Sequence, residues 1–285
     1  MEAAALAILG YAIGPAPIPF NGRADYDVRS RFRGKRVRHH ILIGTNHKTG
    51  THWMRKVFTH LAGLLSVRFH NLSDSSGFRL DEAKCRAFED AVRGGARAII
   101  FEHHSCFPFL TADVASDCRG IHMIRDPRDV IISSAKYHEW SDEDWLHVPR
   151  PEFDGRTYQE QIRSLASFRD KLILEMDHSA GATIRAMTEF DGGGCLVDVK
   201  YESLITDTEM RVWQEICVTL GLEAHEIESA KTAFWEHSLF GNARRTAHVQ
   251  SGKSEQWRQH FDDGLHAELD RRFPGGLERL GYPRN

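Results

Sequence analysis

Four short apolar runs, at residues 41–45, 98–103, 120–125 and 195–201, stand out from a largely polar chain. Each is too short for a buried helix. Each is bounded by polar or turn-forming residues, the pattern of a strand buried on both faces. Between the runs the period changes. Trp53, Val57 and Leu61 recur at helical spacing. So do Met210, Trp213, Cys217 and Leu220, behind a Thr206-x-x-Glu209 pattern with the form of a capping box. Residues 158–177 carry a further helical pattern, expected as one long helix. Strands alternating with helices predict an α/β fold, a mainly parallel β-sheet with helices on both faces. Ligands of such sheets sit outside the carboxyl ends of the strands. Residues just after each strand are therefore the candidates for chemistry.

Composition narrows the class. The chain has 285 residues, 41% hydrophobic and 27% charged, enough for a core that needs no disulfide or metal. A formal net charge of −3 gives no basic field, so nucleic acid is not an expected partner. Five scattered cysteines with no CxxC pair predict free thiols in a reducing compartment. The apolar N-terminus is broken by Gly10, Gly14 and three prolines, and Glu2 is its only early charge. It lacks the basic start of a secretory leader and is too short to span a bilayer. The expectation is a cytoplasmic protein with no membrane span, an N-terminal segment at 1–38 and a single domain at 39–285. Residues 139–157 are long, acidic and carry Pro149, Pro151 and Gly155, as expected of a lid loop on the acceptor side.

The loop after the first strand reads HKTGTHW, residues 47–53. A strand-to-helix turn exposes unpaired backbone N–H groups, and the helix dipole favours an anion there. Gly50 lets the backbone approach the anion. Thr49 and Thr51 offer hydroxyls, and Lys48 adds a point charge. A triphosphate loop would place its lysine after the last glycine, as GK[ST]; here Lys48 precedes Gly50.

Three further stretches sit at similar places. IHMIRDPRDVIISSAKYH, residues 121–138, ends a strand on Arg125, sets Pro127 in a first helical turn and carries Ser133. Arg125 can fork onto a phosphate or pair with Asp126 or Asp129. VKYESL puts Tyr201 at a strand end. SGKSEQWRQHF, residues 251–261, is a late Gly/Lys loop ahead of Trp257.

Together these motifs resemble the cytosolic-type sulfotransferases that use 3′-phosphoadenosine 5′-phosphosulfate (PAPS). They run in the family's order over about three quarters of the chain. The resemblance implies the P-loop-like sulfotransferase fold and transfer of a sulfuryl group from PAPS to a hydroxyl or amine acceptor. HKTGTHW is similar to the family's 5′-phosphosulfate loop, so Lys48, Thr49, Gly50, Thr51, His52 and Trp53 are expected around the 5′ side and the adenine. Lys48 would stabilise the leaving bridging oxygen. RDPRDVIIS is similar to the 3′-phosphate motif, with Arg125 and Ser133 in register. KYESL implies Tyr201 near the adenine, and KTAF implies Thr232 and Phe234 as contacts. GKSEQWRQHF implies Gly252 and Lys253. AIIFEHH resembles the strand that ends on the family's catalytic histidine, which makes His103 the expected general base. Glu102 and His104 remain rivals, because a one-residue slip exchanges faces.

A sulfuryl group carries less charge than a γ-phosphoryl, so lysine and backbone donors can serve without a metal. No HExxH or DxDxDG pattern occurs, and the histidines lack ligand spacing. The chain departs from the family in its late loop. Gln250 and Ser251 stand where Arg-Lys is usual, and Glu255 replaces the second glycine; Lys253 or Arg244 and Arg245 are the available substitutes. His52 stands where threonine is common, and the KxxxTVxxxE dimer segment is missing. The acceptor class left open is a small molecule or carbohydrate. The alternatives are a non-catalytic nucleotide- or anion-binding protein of the same fold and a small-molecule P-loop kinase.

Overall fold

The computed structural model describes residues 39–73, 80–107, 110–243 and 254–284. Along the chain run β1 (His40–Gly44), α1 (Thr51–Leu64), β2 (Arg68–Asn71), α2 (Glu82–Arg93), β3 (Ala98–Glu102), α3 (Ala112–Ser116) and β4 (Cys118–Ile124). There follow α4 (Pro127–His138), α5 (Tyr158–Ser164), α6 (Phe168–Asp177), α7 (Ser179–Glu189), β5 (Leu196–Lys200) and α8 (Tyr201–Ile205). The last elements are α9 (Arg211–Thr219), α10 (Ala224–His237), α11 (Asp263–Arg272) and α12 (Gly276–Arg279). The described residues fall into two compact units. The first comprises 39–45, 50–123 and 191–243; the second comprises 46–49, 124–190 and 254–284.

The first unit holds the sheet, in the order β2-β3-β1-β4-β5. β1 pairs in parallel with β3, Ile43 opposite Phe101, and with β4, Ile43 opposite Ile121. Both faces are covered, as the continuous apolar runs require. Ile41, Ile43, Ile99, Phe101 and Ile121 pack on one face against Met54, Val57, Phe58 and Leu61 of α1 and against Trp213 and Phe234. Leu42, Ile100 and Cys118 face the other way and meet Phe88 of α2. Each such aliphatic side chain contributes about 1.5–3 kcal/mol by leaving water. Gly120 permits the closest approach of β4 to β1, since a Cβ there would lie 2.5 Å from the Leu42 carbonyl oxygen.

The α/β expectation holds, with local corrections. The strands end a residue or two from the expected bounds. A fifth strand, β2, was not legible: its sequence RFHN is no apolar run, because β2 lies at the sheet edge, pairs only with β3 and stays partly exposed. The Thr206-x-x-Glu209 capping box does not form. The Thr206 hydroxyl donates back to the Glu202 carbonyl. α9 is instead capped by Asp207, whose carboxylate accepts from Arg211 N and Trp213 N, each at 2.8 Å.

The second unit is helical. The expected helix over 158–177 is two helices. Leu165 turns extended after α5, and Ser167 starts α6 by accepting from Asp170 N at 3.1 Å. Ile131, Ile162, Leu172, Ile184 and Leu269 form its core. α4 begins at Pro127, capped by Asp126. Arg128 is fully buried. It forks onto Asp126, donates to the carbonyls of Pro283 and Arg284, and lies 3.4 Å from the Trp257 ring centroid. All five cysteines are free, as expected. Among the described residues no helix is long and apolar enough to cross a membrane.

Candidate active site

In the second unit the loop 46–49 is closed on itself. The Thr49 hydroxyl accepts from Asn46 N and donates to Asn46 O, both at 2.9 Å. Thr49 is buried, so its hydroxyl shapes the loop. Lys48 sits in the left-handed region at φ 65, a strained conformation for a residue with a side chain. Arg125 holds that turn by donating from Nη1 to the Lys48 carbonyl at 2.9 Å. The geometry gives Arg125 a role sequence reasoning missed, as a clamp on the loop backbone. Ser133 is half-buried on α4.

The Lys48 ammonium has no carboxylate within ion-pair distance among the described residues. Its Nζ lies 3.5 Å from the Tyr137 ring centroid. Burial lowers its pKa to about 7, with Arg125 adding to the effect against the pull of Glu143 and Glu175. Burial likewise pushes the Tyr137 phenol up to about 12, so it stays a neutral donor. It donates to Glu143 Oε1 at 2.9 Å.

Beside Lys48, His47 lies against His138. The rings stack at 17°, and their Nε2 atoms are 3.1 Å apart. His138 is fully buried on α4, and its Nδ1 is 2.6 Å from Glu175 Oε1, also fully buried. The carboxylate orients the His138 ring so that its other nitrogen, Nε2, faces His47. Glu143 accepts from Trp145 Nε1 at 2.7 Å. Residues 139–157, expected as a lid, set Leu146 and Phe153 in a cluster with Tyr158 of α5, with Trp145 packed on it. Trp140 is exposed; Trp145 and Phe153 point into that cluster.

In the first unit Gly50 stands before α1 at φ 102, where its carbonyl accepts from Met54 N. A Cβ there would lie 3.2 Å from Tyr201 Cδ2. Tyr201, just after β5, meets Trp53 edge-on with centroids 6.1 Å apart, and Phe234 lies 5.3 Å from Trp53. Trp53, Tyr201 and Phe234 thus form one aromatic group. The Trp53 indole N–H is buried with no hydrogen-bond partner among the described residues. Two other expected contacts make local hydrogen bonds. His52 is exposed and reaches Arg55, and the exposed Thr232 hydroxyl donates back to the Glu228 carbonyl. Phe234 itself is fully buried, stacked on Trp213 at 4.4 Å. Thr51 opens α1 half-buried. Gly252 and Lys253 lie outside the described residues, as do Arg244 and Arg245.

At the end of β3 the three candidate bases differ sharply. Glu102 is buried, and its carboxylate accepts from Ser73 Oγ at 3.1 Å, His104 N at 2.7 Å and Cys106 N at 2.6 Å. It organises the turn after the strand. His103 is half-buried, its ring edge-on to Phe101 at 5.2 Å. His104 is also half-buried.

Residues 38–281 match the family model of the sulfotransferase domain. The chain belongs to that family. A crystal structure of mouse sulfotransferase SULT7A1 complexed with PAP aligns with this sulfotransferase domain at TM-score 0.54 and 16% identity. The alignment covers 84% of this chain and 85% of that one, and it shows the shared fold. The sulfotransferase domain from the Synechococcus PCC 7002 olefin synthase aligns at TM-score 0.37 and 13% identity, over 88% of this chain and 96% of that one. No curated protein matches. Family and fold together support sulfotransferase activity in general.

The residues around Lys48 that sequence reasoning missed are Tyr137, His138 and Glu175; Glu143 was legible only as one of the acids of the 139–157 loop. Tyr137 and His138 lie at the end of a stretch singled out for Arg125 and Ser133. Only the fold of α4 turns them toward the loop. Nothing in the local pattern marks Glu175.

Proposed function

We propose that this sulfotransferase domain moves a sulfuryl group from PAPS to a hydroxyl or amine of a small-molecule or carbohydrate acceptor. The observation that carries the reading is Lys48: a lysine in a strained loop, without a carboxylate partner, with its pKa drawn down to about 7. Such a group gains most from an arriving anion.

In this reading the loop around Gly50 and the N-terminus of α1 hold the 5′-phosphate through backbone N–H groups. Thr49 keeps the loop closed, and Thr51 and His52 attend the same end. Lys48 stabilises the charge that develops on the bridging oxygen as the S–O bond breaks. Arg125 and Ser133 hold the 3′-phosphate, with Gly252 and Lys253 from the late loop. Trp53 and Tyr201 take the adenine, backed by Phe234 and flanked by Thr232. His103 removes the acceptor proton as the acceptor oxygen attacks sulfur in line. The three hydrogen bonds on Glu102 favour His103 over that carboxylate. Lysine and backbone donors supply the charge stabilisation, so transfer itself is proposed to need no metal. Free thiols fit action in the cytoplasm.

The test is transfer of labelled sulfate from PAPS over a broad acceptor panel, with wild type, Lys48→Ala and His103→Ala in parallel. The reading requires transfer in the wild type and a loss of at least about 100-fold in each variant. Undiminished transfer in Lys48→Ala overturns the mechanism.

A further inference from the structure

His47 lies 91 residues before His138, and Glu143 follows soon after it in the 139–157 loop, a spacing that gave no sign of a metal set. In the second unit they converge: one ligand atom from each, an imidazole nitrogen or a carboxylate oxygen, lies within 4.8 Å of the others. We propose that these three side chains bind a divalent first-row transition-metal ion such as zinc. The inference does not depend on the donor nucleotide and departs from the metal-free expectation of the sequence.

Three features carry it. First, the two Nε2 atoms are 3.1 Å apart. An ion about 2.0–2.1 Å from each would see them at about 100°, near a tetrahedral bite. A Glu143 oxygen, within 4.8 Å of the imidazole nitrogens, supplies the third ligand. Second, the ligands are oriented from behind, as metal ligands are. Glu175 holds His138 Nδ1 at 2.6 Å and is itself tied to Ala180 N at 3.3 Å. Tyr137 Oη and Trp145 Nε1 donate to the two oxygens of Glu143 at 2.9 and 2.7 Å. Third, Glu143 has no cationic partner within ion-pair distance among the described residues. Lys48 extends over the Tyr137 ring instead. A half-buried carboxylate beside two imidazole nitrogens supplies a negatively charged ligand for a cation.

The donor set selects the ion. Two imidazoles and a carboxylate, without thiolate, suit zinc, iron, cobalt or nickel and disfavour calcium and magnesium. Three protein ligands leave a position for water or an anionic oxygen.

The alternative is a pair of histidines sharing one proton, with Glu143 uninvolved. Zinc and cobalt(II) binding to the chelator-stripped full chain separates the two. The chain has 17 histidines, so weak surface binding is expected and the difference between variants is the readout. His47 and Glu143 are both half-buried, so His47→Ala and Glu143→Gln are suited to keep the fold; circular dichroism checks it. The proposal requires one tight equivalent of zinc, weakened at least about tenfold in each variant. It also requires a cobalt(II) absorption band in the wild type that both variants lose. Equal zinc affinity in wild type and His47→Ala, or the same cobalt spectrum in both, overturns it.

Discussion

The Nζ of Lys48 rests 3.5 Å from the centre of the Tyr137 ring. That contact favours the charge of a lysine whose burial and Arg125 neighbour oppose it. Replacing the ring by Leu removes a cation–π interaction of about 0.5–2 kcal/mol. Tyr137→Leu is expected to weaken binding of adenosine 3′,5′-bisphosphate about 2- to 30-fold, as measured by calorimetry. Tyr137→Phe keeps the ring and loses the hydroxyl that bonds Glu143. It is expected to bind within about twofold of wild type.

The depressed pKa of Lys48 makes donor binding pH-dependent. In the free, metal-stripped protein the group titrates near 7, against 10.5 in an unfolded chain. The folded state therefore holds fewer protons between those values, and stability contributed through this group rises with pH across that window. A bound anion favours the ammonium and raises its pKa. Binding thus takes up a proton above about pH 7 and none well below it. Calorimetry at pH 8 in buffers of different ionisation enthalpy should read an uptake approaching one proton, absent in Lys48→Met. Affinity should fall as the pH rises above 7. An uptake equal in both proteins would assign the proton elsewhere.

Gly50 couples loop conformation to the aromatic group. Its φ of 102 disfavours any side chain, and an added Cβ would press on Tyr201 at 3.2 Å. Gly50→Ala is expected to cost about 1–3 kcal/mol of stability, read as a lowered melting temperature. It should also weaken bisphosphate binding at least about tenfold, because the turn that aims the backbone N–H groups is disturbed.

Two neighbours at the end of β3 should separate by phenotype. Glu102→Ala strips a buried acceptor from Ser73, His104 N and Cys106 N. It is expected to destabilise the fold by about 2–4 kcal/mol in chemical denaturation. His103→Ala should melt close to wild type and lose about 10²–10⁴-fold in turnover with bisphosphate affinity retained. The reverse pattern would transfer the base role to Glu102.

Much of this was written locally in the sequence. The buried strands showed as apolar runs because both faces of the sheet are covered. The loop 47–53 and the strand ends at Arg125 and Tyr201 showed through residue types that few other environments demand. β2 was illegible because an edge strand need not be apolar. Asp207 was passed over for Thr206 because a left-handed Met210 re-aims the cap, and no spacing rule anticipates that. The joining of His47, His138, Glu143 and Glu175 depends on how α4, α6 and the loop 139–157 pack. Such long-range convergence leaves no periodic trace.

The central claim is that the loop carrying Lys48 is built for a phosphosulfate donor. Parallel titration of the full chain with adenosine 3′,5′-bisphosphate and with magnesium-ATP tests it without knowledge of the acceptor. The account predicts saturable bisphosphate binding, at least about tenfold weaker in Lys48→Ala, and far weaker binding of magnesium-ATP. Magnesium-dependent ATP binding tighter than that of the bisphosphate would contradict it.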